Sequence, residues 1–187
     1  MIILTKATGM CISTQRFTHE YRNLGQEVRI LSTGKDANYP VPELKINLPF
    51  IHSLIEKQGF HFAKPIRKTL KEAVSWADVI QVEPPFPVSW RAAKLAKKQN
   101  KPVIGTFHIY PQNITTSVPI LNNQFGNWCF MTFFKVKSFK NCTALQVPTP
   151  KVAKWLKKNY FKQKLFIVSN GISEKFIQSN AAIQTYF

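Results

Sequence analysis

The chain has 187 residues, 44% of them hydrophobic, and a formal net charge of +17 at pH 7. This length suits one domain of ordinary size with a sizeable core, and the charge predicts an anionic partner. Three cysteines without metal-ligand spacing argue against a zinc site or a disulfide framework and are typical of buried thiols in a reducing compartment. The amino-terminal apolar run is too short for a signal peptide, so we expect a soluble cytoplasmic protein.

Short apolar runs alternate with helical segments along the chain. The predicted strands are residues 1–5, 28–31, 44–46, 78–82, 103–107, 143–147 and 165–168. The predicted helices are residues 12–24, 64–76, 89–99, 118–139 and 151–160. Strands that alternate with helices predict βαβ units with right-handed crossovers in a parallel sheet. The predicted fold class is therefore α/β, a Rossmann-like doubly wound domain.

The first turn holds a single glycine, Gly9, and the chain contains neither a GxGxxG fingerprint nor a P-loop. This pattern argues against a dinucleotide or ATP as the principal ligand. A helix that starts after Gly9 still offers free N–H groups to a phosphate near Ser13. The simpler interpretation is a turn glycine followed by a polar residue close to a helix start.

The nearly continuous apolar run at 103–107 ends in His108. Such runs are typical of interior strands of parallel sheets, and ligands collect just beyond the carboxyl ends of those strands. His108 is therefore placed to exchange protons with a ligand or to bind it. A core histidine whose ring bonds to the backbone is an equally good interpretation of the residue alone.

The positive charge is concentrated in the second half of the chain. Residues 1–83 hold 11 lysines and arginines against 8 acids, whereas residues 84–187 hold 15 against a single acid. Lys151, Lys154, Lys157 and Lys158 crowd one predicted helix. Lys135, Lys137 and Lys140 end the preceding predicted helix next to aromatic residues. Lysines beside aromatics favour an anionic membrane surface, and the lack of any nucleic-acid module makes nucleic acid the less favoured polyanion. A solvated basic face explains the same pattern.

Five segments carry a family resemblance through their order and spacing: residues 16–31, 77–83, 91–96, 101–108 and 167–172. Together they resemble the amino-terminal half of the family 4 glycosyltransferases. The resemblance implies a two-domain GT-B enzyme in which the first domain holds the acceptor and the second holds a nucleotide-sugar donor. It also implies retaining, metal-independent hexosyl transfer without a cofactor. We expect residues 1–172 to form the acceptor-side Rossmann-like domain, residues 173–187 to be a truncated linker or tail, and the isolated chain to be inactive without a donor domain.

The resemblance also implies roles for single residues. His108 corresponds to the cleft histidine that hydrogen-bonds the donor sugar, and Gly9 to the glycine that lets the backbone approach the donor diphosphate. Ser13 lies beside that turn. Met10 and Cys11 stand where relatives commonly carry a second small residue, which is a departure from the family pattern.

Glu83 ends its own predicted strand, where it faces an acceptor pocket or else caps or pairs with a nearby cation. Asn113 and Thr115 are further candidate acceptor contacts. The implied acceptor is a lipid, glycan or other membrane-associated molecule, reached from the inner face of the membrane. The alternative function is a non-enzymatic basic module that binds anionic membrane.

Overall fold

The computed structural model describes residues 2–4, 9–44, 62–83, 86–110, 115–116 and 122–170. Within these ranges the chain forms seven strands and five α-helices. The strands are β1 (Ile2–Leu4), β2 (Ile30–Ser32), β3 (Tyr39–Pro40), β4 (Ile80–Val82), β5 (Val103–Thr106), β6 (Ala144–Val147) and β7 (Lys164–Ile167). The helices are α1 (Gly9–Asn23), α2 (Arg67–Trp76), α3 (Pro87–Lys98), α4 (Gln124–Phe133) and α5 (Pro150–Lys158).

All paired strands run parallel, in the orders β1-β2-β3 and β4-β5-β6-β7. Strand β1 also approaches β4, so the two groups of strands lie side by side. Helices separate most successive strands, as parallel pairing requires. The predicted α/β, Rossmann-like fold class is confirmed.

Apart from shifts of at most three residues at the ends of other elements, two predicted elements differ from the structure. The strand expected at 44–46 is wrong at Leu44, which bonds to Phe62 beside an isolated antiparallel bridge, while the strand that pairs with β2 is Tyr39–Pro40. The helix expected over 118–139 begins, in the described chain, at Gln124 because Asn123 caps it by accepting a hydrogen bond from the Gly126 N–H at 2.8 Å. Residues 45, 46 and 117–121 lie outside the described ranges.

Helix α4 continues into a π-helical turn, Phe134–Phe139, that packs on the sheet. A Cβ added at Gly105 on β5 would lie 2.8 Å from Cys142 Sγ and 3.2 Å from Phe139 Cδ1. The missing side chain at this position therefore lets the turn approach the strand closely. Burial here raises the pKa of the Cys142 thiol to about 12.

The core lies on the central strands, where Ile80, Val103 and Leu145 are fully buried beneath residues of the neighbouring helices. Strand β7, at the edge, leaves Phe166 and Ile167 exposed. Among the described helices, none combines the length and the apolar character that a bilayer crossing demands.

Candidate functional site

The carboxyl ends of β4 and β5 bring the main candidate residues together. The register pairs Val82 with Gly105. The next residues along each strand, Glu83 and Thr106, therefore lie side by side at the carboxyl end of the sheet. His108 follows two positions beyond Thr106 and returns to the same side of the chain. A carboxylate and an imidazole therefore lie together beyond the carboxyl ends of the strands, where parallel sheets bind ligands.

Glu83 and His108 form a close buried pair. Glu83 Oε2 lies 2.8 Å from His108 Nε2, and the two side chains are 2% and 6% exposed. The other carboxylate oxygen, Oε1, accepts hydrogen bonds from Thr106 Oγ1 and Gln81 Nε2, each at 3.1 Å. Both oxygens of the carboxyl group therefore have hydrogen-bond partners, which offsets the cost of burying it.

Two further contacts extend this arrangement, which we call the Glu83–His108 network, to helix α1. Gln81 Nε2 also donates to Thr106 Oγ1 at 3.2 Å, and the Tyr21 hydroxyl donates to Gln81 Oε1 at 3.3 Å. Burial and then the negative charge of Glu83 raise the pKa of Tyr21 above its ordinary value. The network thus consists of Tyr21, Gln81, Glu83, Thr106 and His108.

Phe107, the residue before His108, packs against aromatic rings on the other face of the strand. Phe107 is buried, and its ring centroid lies 5.6 Å from that of Tyr110, 5.7 Å from Phe139 and 5.8 Å from Trp155. Its backbone N–H donates to the Gln146 carbonyl at 2.9 Å. An aromatic cluster and strand β6 therefore fix the backbone from which the imidazole projects.

This geometry can orient a ligand and hold a proton between a carboxylate and an imidazole. The His108 ring bonds to a side-chain carboxylate, which differs from the backbone-satisfied core histidine that the sequence also allowed. The structure gives Glu83 Oε2 the His108 ring as its partner. The roles of both residues toward donor and acceptor stay predictions.

The candidate phosphate residues lie at the start of α1, which begins at Gly9. Ser13 is buried in the second turn, and its Oγ has no hydrogen-bond partner among the described residues. Residues 5–8, which lead into the helix, lie outside the described ranges. A role for Gly9 and Ser13 in diphosphate binding stays a prediction.

Thr115 is fully buried, and its hydroxyl donates to Asn127 Oδ1 on α4. This contact ties the segment after His108 to the helix. Asn113 lies outside the described residues. The acceptor role predicted for both residues is therefore carried forward as a prediction.

The predicted basic residues lie on α5, on the π-helical turn and just after it. Six of the seven are exposed: Lys137, Lys140, Lys151, Lys154, Lys157 and Lys158. The seventh, Lys135, is half-buried, with its Nζ 5.6 Å from the centroid of the Tyr160 ring and 5.9 Å from that of Phe161. This contact brings the turn after α4 against the segment that ends α5.

Large apolar side chains are exposed on α4, on the π-helical turn that follows it and just after α5. Phe125 is 72% exposed and Trp128 is 63% exposed, and their rings stack at 6.1 Å between centroids. Val136 and Tyr160 are exposed as well. We call the seven lysines together with Phe125, Trp128, Val136 and Tyr160 the aromatic–lysine surface.

Sequence reasoning did not single out Tyr21, Gln81 or Thr106 as site residues. A signal was present for Gln81, which stands two positions before Glu83 in a strand that is otherwise apolar and therefore shares a face with it. Tyr21 gave no such signal, because its contact with Gln81 depends on how α1 packs against the sheet.

The family model described as Glycosyltransferase Family 4 matches residues 7–176, which include the whole Glu83–His108 network. A search of the curated proteins gave no match. With the match spanning most of the sequence, the chain belongs to Glycosyltransferase Family 4.

Proposed function

We propose that residues 1–172 are the acceptor-side domain of a retaining glycosyltransferase that moves a sugar from a nucleotide-sugar to a lipid or other membrane-associated acceptor without a metal cofactor. Family membership supports glycosyl transfer in general. The observation that carries the proposal is the buried Glu83–His108 pair at the carboxyl edge of the parallel strands.

A transition state with oxocarbenium character is sensitive to small displacements of the groups around it. His108 is suited to orient a sugar in that transition state, because it follows a strand end. The preceding residue, Phe107, packs against three aromatic rings. The His108 ring is also held by Glu83. In this proposal His108 hydrogen-bonds the donor sugar, while Gly9 and Ser13 lie toward the diphosphate.

The aromatic–lysine surface supports a membrane-associated acceptor. Phe and Trp side chains enter the interfacial layer of a bilayer, whereas Lys side chains meet anionic headgroups. Phe125 and Trp128 are exposed on α4, the helix that leads into the lysine-bearing π-helical turn. Helix α5, which bears four of them, also carries Trp155, whose ring contacts Tyr110 just after His108. A lipid held at this surface would lie close to the chain segment that follows the candidate site.

The test is transfer of a labelled sugar from a nucleotide-sugar to a lipid acceptor in mixed micelles. The full chain is assayed alone and together with the donor-binding domain of a family 4 enzyme. We expect transfer in the presence of that domain, and a loss of roughly 100-fold with His108→Ala, because the sugar is no longer oriented. Transfer that is unchanged in His108→Ala would show that the role assigned to His108 is wrong.

A second candidate, a non-enzymatic module that binds anionic membrane, is favoured by the same exposed Phe125 and Trp128. Co-sedimentation with anionic vesicles, neutral vesicles and oligonucleotides at rising salt distinguishes the partners. Vesicle binding without transfer under any donor condition supports this second function. Binding to oligonucleotides but not to vesicles would contradict both candidates.

A further inference from the structure

The hydrogen bonds of the Glu83–His108 network have a defined direction. The Tyr21 hydroxyl donates to Gln81 Oε1, which leaves Nε2 as the donor end of the Gln81 amide. That Nε2 donates to both Glu83 Oε1 and Thr106 Oγ1. Thr106, having accepted from Gln81, donates its own proton to Glu83 Oε1. The two bonds that reach Glu83 Oε1 therefore both have the carboxylate as their acceptor.

These bonds occupy Oε1 with donors and leave Oε2 to face the His108 ring. The carboxylate can only accept, and its Oε2 lies 2.8 Å from His108 Nε2. In a bond to an ionised carboxylate, the proton belongs to the imidazole. Both side chains are almost completely buried, so water has little access to replace the bond.

We propose that Glu83 is a positioning residue for His108, which keeps Nε2 protonated and leaves Nδ1 as the ring atom that meets a ligand. The neutral imidazole is then the Nε2–H tautomer, with Nδ1 as an acceptor for a hydroxyl group. The identification of that hydroxyl as a sugar hydroxyl rests on the proposed function, whereas the tautomer does not. Gln81 and Thr106 support the arrangement by holding the other carboxylate oxygen.

The Glu83→Gln variant makes a sharp test, because the network dictates how the new amide must lie. Gln81 and Thr106 still donate to the position of Oε1, so the amide oxygen occupies that position. The amide nitrogen then faces His108 Nε2 and donates to it. Nε2 must now accept, and the neutral ring changes to the Nδ1–H tautomer.

The measurement is long-range 15N–1H NMR of the full chain with labelled histidine, at a pH where the ring is neutral. The chain has four histidines, and the His108→Gln variant identifies the signals of His108. We expect the Nε2–H tautomer in the unmodified protein and the Nδ1–H tautomer in Glu83→Gln. Glu72→Gln, which removes the same charge from an exposed position on α2, should leave the Nε2–H tautomer unchanged.

An Nδ1–H tautomer in the unmodified protein would overturn the inference, and this result needs no variant to fold. Retention of Nε2–H in a folded Glu83→Gln protein would overturn it as well. In the transfer assay, Glu83→Gln should lose roughly 100-fold in rate while Glu72→Gln does not. Failure to see any transfer counts against the proposed function alone, because the tautomer is measured without substrate.

Discussion

The rings of Tyr110 and Trp155 meet edge to face, with their centroids 4.8 Å apart. Tyr110 follows the candidate histidine by two residues, whereas Trp155 lies in the middle of the lysine-bearing helix α5. Trp155 also contacts the ring of Phe107 at 5.8 Å. Helix α5 therefore packs against the strand end that carries His108, so a displacement of the helix can change the position of the His108 backbone.

Trp155→Ala should lower the free energy of unfolding by about 3 kcal/mol, because both aromatic contacts and part of the core are lost. Trp155→Phe retains an aromatic ring and should cost less than half as much. Denaturant unfolding of the two variants measures the difference. Equal losses would contradict this expectation, because they would mean that the smaller ring restores none of the contacts with Phe107 and Tyr110.

Gly105→Ala should destabilise the fold by about 1–3 kcal/mol, since the added Cβ would stand 2.8 Å from the buried Cys142 Sγ. In a Cys142→Ala background the closest contact is gone, so the same substitution should cost less. A double-mutant cycle based on urea unfolding gives this coupling. Additive effects would mean that the cysteine is not what excludes a side chain at position 105.

Gly25 ends helix α1 with a φ of +77°, and nothing lies within 4 Å of a Cβ added there. Gly25→Ala should therefore destabilise the protein by about 1 kcal/mol through backbone conformation alone. Gly25→Asn should cost less, because Asn tolerates the left-handed region better. Thermal unfolding of both variants tests this order, and a harmless Gly25→Ala would refute it.

Burial raises the pKa of Cys142 from its ordinary 9.0 to about 12. Above pH 9 the unfolded chain loses this proton while the folded protein keeps it, so the unfolded state binds fewer protons. The free energy of unfolding should then fall as pH rises from 9 toward 12. Measured at several pH values in that window, the decline should be shallower in Cys142→Ala. Parallel curves for the two proteins would contradict this expectation.

Phe125→Ser and Trp128→Ser remove exposed side chains of the aromatic–lysine surface, so each should change stability by less than about 0.5 kcal/mol. The double variant should bind anionic vesicles about tenfold more weakly, because the interfacial anchors are lost. Leu24→Ser is the matched control: Leu24 is 74% exposed but lies at the end of α1. Equal weakening by Leu24→Ser would show that the surface has no special part in binding.

Much of the fold could be predicted because its signals are local. Proline and glycine mark the ends of elements, and the apolar spacing of residues 151–160 predicted α5, which runs from Pro150 to Lys158. The strand at 44–46 was predicted from an apolar stretch, yet the strand that joins β2 is Tyr39–Pro40. A two-residue strand has too little sequence to show a pattern, so only the pairing with β2 reveals it.

The amino-acid sequence by itself placed Glu83 and His108 at the ends of two strands, because the length and the end of a strand can be predicted from neighbouring residues. Whether these side chains meet was decided by the pairing of Val82 with Gly105, which brings distant parts of the chain into register. The same packing buried Gln81 and Thr106 beside them and placed Tyr21 within reach. Contacts between strands depend on register and on the elements that cover the sheet, and those are properties of the assembled domain rather than of any local segment.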